Sequence, residues 1–256
     1  MKNRLHRIDE LRGFTLISMI LYHFMWDLKY LAGFNMNWYT GPFGYVWQKS
    51  ICICFILISG FCFSMGKNRL KRGLIVFFAG VIITIVTLTV MPENRVVFGV
   101  LTFLGSASLI MIPIDKLNNI VENKCNKKTF NISMFILTFL LFVSFYNVNN
   151  KVLYFPLERA LPNYLYKGYL ATYIGFPDNT FFSTDYFALL PWIFIYMTGY
   201  YLNKVYKLSN HYEKINSFLS VNRFECISFF GRHSLLIYMV HQPVLYLITL
   251  AVQKLI

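Results

Sequence analysis

Apolar runs of about 20 residues recur along this chain, and each is long enough to cross a bilayer as a helix. In hydrocarbon a backbone must satisfy its own hydrogen bonds, so such runs commit the chain to an all-α, polytopic membrane helix bundle. We read seven spans, over 12–33, 45–66, 71–91, 97–115, 130–147, 185–203 and 226–252. With 57% apolar and only 14% charged residues, no stretch is left for a soluble domain, and residues 1–256 read as one domain. The first apolar stretch continues to about residue 34 with no small-residue cleavage site, unlike the shorter core of a secretory signal.

A net charge of +13 in a soluble protein would suggest nucleic acid, but here the cations sit in short loops between spans and report topology. Sixteen fall on one side: Lys2, Arg4, Arg7, Arg12, Lys67, Arg69, Lys71, Arg72, Lys116, Lys124, Lys127, Lys128, Lys204, Lys207, Lys214 and Arg223. Seven fall on the other: Lys29, Lys49, Arg95, Lys151, Arg159, Lys167 and Lys254. This asymmetry predicts a cytoplasmic N-terminus and an outer C-terminus. Residues 148–184 form a long outer connection rich in Tyr, Phe, Pro and Gly, either interfacial, re-entrant or merely anchored by its aromatics. Cys52, Cys54, Cys62, Cys125 and Cys226 have neither disulfide-framework nor zinc spacing, and no metal is predicted.

Ionisable groups at membrane depth are costly and normally face a protein interior or a water-filled path. His23 and Asp27 lie well inside the first span, four residues apart and therefore on one helix face. A carboxylate beside an imidazole can fix its tautomer for general-base work; equally, the pair can simply join helices. In the last span Tyr238 and His241 share a face, and His241–Gln242 precede Pro243, which tends to kink a helix and open a cavity. A hydrogen-bonded core histidine is the bland alternative for His241. Arg12, Arg72 and Arg232, with His233 beside the last, fall at cytoplasmic helix ends. They either snorkel or line an entrance for a phosphorylated ligand. Asp185 opens the sixth span, as a helix cap or an acceptor ligand. Ser59 and Gly60 are suited to close helix packing.

In order, the segments RIDELRGFTLISMILYHF, FILISGFCFS followed by LKRG, FGVLTFLG, DYFALLPWIFIYMTGYYL and GRHSLLIYMVHQPVL resemble bacterial membrane proteins with a heparan-alpha-glucosaminide N-acetyltransferase catalytic domain. These belong to the wider transmembrane acyltransferase superfamily, and the resemblance covers residues 4 to 250. It implies acetyl-CoA as a donor arriving from the cytoplasm, with the acetyl group passing to an acceptor outside. Asp9, Arg12, Ser59, Gly60, Arg72, Arg232, His233, Ser234, His241 and Gln242 match motif positions. Where the lysosomal enzyme places its proposed active histidine, beyond the first-helix motif, residues 28–50 here contain none, and His23 is the nearest candidate.

The leading expectation is thus a multi-pass cell-membrane acyltransferase. His23 and Asp27 would act as base or nucleophile, His241 and Tyr238 at the oxyanion, and Arg12, Arg72, Arg232 and His233 on the CoA phosphates. Asp185 and Gln242 would hold a cell-envelope saccharide acceptor. The expected partners are the lipid bilayer, acyl-CoA and that saccharide, with no nucleic acid and with homo-oligomerisation left open. The alternatives are a proton-coupled transporter with His23, Asp27 and His241 as its relay, and a bis-histidine haem protein.

Overall fold

The computed structural model describes residues 4–154 and 157–255, so Lys2 of the topology argument and two residues of the long outer connection lie outside the described residues. In chain order the described helices are α1 (His6–Tyr30), α2 (Asn37–Thr40), α3 (Pro42–Phe63), α4 (Arg69–Val90), α5 (Val100–Glu122) and α6 (Lys127–Phe145). They continue as α7 (Gly168–Ile174), α8 (Trp192–Lys207), α9 (Tyr212–Ser220), α10 (Glu225–Arg232) and α11 (Ser234–Leu255). Among the described residues one antiparallel pair of short strands, β1 (Val152–Leu153) and β2 (Arg159–Ala160), interrupts the all-α pattern, pairing Val152 with Ala160.

α3, α4, α5, α6 with its extension to Asn150, and α11 are long and apolar enough to cross a membrane. The other two expected spans do not qualify on those terms. α1 has the length, 25 residues or about 37 Å, but its polar residues lower its mean hydropathy. α8 is apolar but only 16 residues long. Two boundaries also differ from expectation. The sixth span begins at Trp192 rather than Asp185, because Pro191 stands at the helix start, where its missing N–H has no partner to lose. The seventh is two helices, α10 and α11, separated by a turn at His233.

The chain forms two compact units. The first contains residues up to 55 and from 210, thus α1, α2, the start of α3, and α9 to α11. Its core is α1, which packs against both α10 and α11. Leu16 and Asp27 of α1 are fully buried.

The second unit, residues 56–209, pairs α4 with α5 and α6 with α8. Glycines permit these approaches: a Cβ on Gly105 would lie 2.5 Å from the Phe77 backbone, and one on Gly80 2.5 Å from Thr102 N. Gly60 meets the Tyr196 carbonyl in the same way, and Gly199 that of Leu57, so α3 and α8 cross with their backbones nearly touching. A buried polar ladder ties one end of this unit. Arg69 pairs with Asp115 at 2.5 Å, Tyr200 donates to Asp115 at 2.6 Å and Tyr201 to Asn118 at 3.1 Å, while Lys204 reaches Glu122 at 3.1 Å. Replacing Asp115→Asn leaves the Arg69 guanidinium facing an amide, and we expect a loss of about 1–3 kcal/mol. Thermal unfolding of the purified protein in detergent measures it. A double variant with Arg69→Gln should lose little more than either alone.

The segment after α6 spans nothing among the described residues. It folds through a 3-10 turn at Val148–Asn150, the strand pair and α7, and is tied down by polar contacts: Tyr166 donates to the Val148 carbonyl at 2.5 Å and Asn149 to that of Gly175 at 2.8 Å. Asp178 accepts from the Gly168 and Thr180 N–H groups, and these bonds, Gly168 first, hold its pKa down at about 2.

Candidate functional site

Two ionisable positions on α1 meet two polar positions on α11. The His23 and His241 rings lie 5.1 Å apart, tilted by 59°. One turn further along α1, Asp27 Oδ1 accepts from Gln242 Nε2 at 2.9 Å. Further still, Gln253 Nε2 donates to the Leu31 carbonyl. These contacts ascend both helices together, so α1 and α11 run parallel.

The hydrogen bonding assigns the histidine tautomer. His241 Nδ1 faces the Tyr238 carbonyl oxygen at 2.5 Å. A carbonyl only accepts, so in the neutral ring Nδ1 carries the hydrogen and Nε2 keeps its lone pair. That Nε2 is buried and has no hydrogen-bond partner. Asp27 Oδ2 and Gln242 Oε1 are likewise buried and unpaired. The site therefore presents three unsatisfied acceptors, an arrangement that calls for a bound donor or a water. The Tyr238 ring rests against His241 at 5.1 Å, and its backbone carbonyl is what orients the imidazole.

The expected His23–Asp27 bond is not the one formed: Asp27 spends its hydrogen bond on Gln242. Instead His23 is flanked on its own helix by Tyr22, at 6.2 Å, whose other contacts are Tyr39 at 4.8 Å and Trp47 at 5.3 Å. Trp47 Nε1 donates to Ser18 Oγ at 2.8 Å. The start of α3 and α2 thus brace α1 from the Tyr22 side. Sequence reasoning missed this brace, although Ser18 and Tyr22 stand four apart on α1 and Trp38, Phe43 and Trp47 cluster just beyond it.

At the N-terminal end of α1, Asp9 pairs with Arg4 at 2.7 Å and with Arg12 at 3.8 Å, so Arg12 is held by a carboxylate. Arg232 closes α10, and His233 Nδ1 lies 3.0 Å from the Phe229 carbonyl. Arg72 belongs to the second unit, where its guanidinium covers Gly66. Asp185, also in that unit, does not open α8; its Oδ2 accepts from Val100 N at 3.3 Å, at the start of α5. A cap is what this contact provides. The second unit's Asp115, Asn118 and Glu122 were missed as well, although their i, i+3, i+7 spacing marks one polar face on an otherwise apolar helix. Among the described residues no group of three or more His, Cys, Asp or Glu side chains could hold a metal ion.

Five helices long and apolar enough to cross a membrane define a multi-pass integral membrane protein, and its α1–α11 pair encloses a buried, incompletely satisfied polar cluster. The family described as heparan-alpha-glucosaminide N-acetyltransferase, catalytic, matches residues 4–243, and the chain belongs to it. Neither a curated protein nor a solved structure matches the chain.

Proposed function

We propose that this protein is a membrane acyltransferase, moving the acetyl group of cytoplasmic acetyl-CoA to an amine or hydroxyl of an extracytoplasmic saccharide at the α1–α11 site. The observation that carries the reading is the unpartnered, buried His241 Nε2 beside His23, in a chain of an acetyltransferase family. His241 Nε2 takes the proton of the acceptor N–H or O–H as its lone pair attacks the thioester carbonyl. The carbon–sulfur bond then breaks, and the CoA thiolate leaves and recovers the proton. His23, tilted against His241, and the Tyr238 side chain would stabilise the charge that develops on the carbonyl oxygen. Asp27 Oδ2 and Gln242 Oε1 accept from the incoming acceptor.

The loop charges support an N-terminus in the cytoplasm, and parallel α1 and α11 fit the odd number of crossings, five, that seven spans put between them. On this topology Arg12, Arg232 and His233 face the donor side and hold CoA phosphates. Eleven residues of helix, about 16 Å, separate Arg12 from His23, a distance that the extended pantetheine arm covers. Arg72 and Asp185, expected at the donor and acceptor, belong to the second unit and are assigned no role in these steps.

The same unpaired acceptors also suit a proton relay, and one experiment separates the two readings. Protein reconstituted in proteoliposomes with labelled acetyl-CoA should release CoA thiol and pass label to an amino-sugar acceptor. Proton-coupled solute flux with no thiol release would replace the enzyme with the transporter.

A further inference from the structure

The corner between α9 and α10 carries exposed apolar side chains. Phe218 is 56% and Phe224 53% exposed, and Val221 between them is also exposed. Two contacts fix the depth of this corner. Glu10 accepts from the Arg223 and Phe224 N–H groups, at 2.5 and 2.9 Å, and the Arg7 guanidinium lies 3.7 Å from the centre of the Phe218 ring. Phe218 and Phe224 are therefore level with residues 7–10 of α1, just before the apolar run that follows Arg12. That is about 25 Å along the helix from Asp27.

Aromatic rings at the end of a span, with cations beside them, sit at the level of lipid headgroups. Lys214 and Arg223 are exposed here, and the Arg223 guanidinium lies 5.7 Å from the Phe224 ring. Glu213 is the one acid of α9. The Arg7 guanidinium against the Phe218 ring adds a third cation to this corner. We propose that α9 and its turn into α10 form an in-plane anchor on anionic phospholipid headgroups, with Phe218, Val221 and Phe224 at the acyl boundary and Arg7, Lys214 and Arg223 on the phosphates. The anchor holds α10, and through it the N-terminal half of α1, at fixed depth.

The test uses full-length protein in nanodiscs of phosphatidylcholine, with or without phosphatidylglycerol, doped with a phospholipid carrying a diazirine near the top of its acyl chain. Adducts mapped by mass spectrometry should include residues 218–224. Their yield should rise several-fold with phosphatidylglycerol and fall as much in Lys214→Glu/Arg223→Glu, while labelling of Phe78, exposed on α4, stays constant. Labelling of Phe78 without 218–224, or labelling of 218–224 by a water-soluble diazirine alone, overturns the anchor. Adducts there that ignore both lipid charge and the double variant overturn its anionic partner.

Discussion

Gly231→Val should prevent the first unit from assembling. A Cβ on Gly231 would lie 1.9 Å from the Asp9 carbonyl oxygen, and one on Gly13 2.0 Å from that of Ile227. The two glycines face each other across α1 and α10, so their backbones touch where any side chain would stand. Both obstructing atoms are backbone and cannot swing away as a flexible side chain would. Relief requires separating α1 from α10, which strips the contacts around Gly13 and moves the Asp9 carboxylate that pairs with Arg4 and Arg12. Overpacking a well-fitted interior costs about 1–3 kcal/mol and occasionally more; a valine against a carbonyl oxygen belongs at or above the top of that range. Gly231→Ala should be milder, and Gly13→Ala/Gly231→Ala should not add fully, since one separation relieves both clashes. Fluorescence-detected size exclusion of the expressed variants, with thermal melts of those that survive, measures the order. Wild-type yield and melting for Gly231→Val would mean that α10 does not dock here.

These glycines show what the sequence makes legible. Gly13 closes the Asp9–Arg12 motif and Gly231 opens the one containing Arg232 and His233, so both motifs can be located without coordinates. What the glycines do cannot: each is explained by a backbone about 220 residues away in the chain. The spans follow the same division. Apolar length locates α3 to α6 and α11, because hydrocarbon thickness fixes it. The break at His233 escapes, because apolar residues continue on both sides and the turn is set by how α10 docks on α1. In the site, the spacing of His23 and Asp27 correctly puts them on one helical face, yet a shared face does not decide the partner. Asp27 turned to Gln242, an interhelical choice that a one-helix argument cannot make.

That choice moves the expected catalytic weight from His23 to His241. With Asp27 engaged elsewhere, His23 has no carboxylate to orient it, whereas the Tyr238 carbonyl fixes His241 with Nε2 free. A positioned general base contributes about 10²–10⁴-fold, so His241→Ala should lower kcat for acetyl transfer by that factor. The KM for acetyl-CoA should change little, because the proposed reading puts the phosphates at the other end of α1. His23→Ala, which removes a neighbouring ring 5.1 Å away, should cost less. Gln242→Leu should fall between them: it leaves both Asp27 oxygens unpaired in a buried site, disturbing the acceptor's binding, and so should raise the acceptor KM more than it lowers kcat. Steady-state kinetics with the donor and the acceptor varied in turn separate these effects, and matched thermal melts exclude unfolding as their cause. If His23→Ala abolishes turnover while His241→Ala retains it, the two histidines exchange roles. If neither variant changes the rate, the α1–α11 site does not catalyse the transfer.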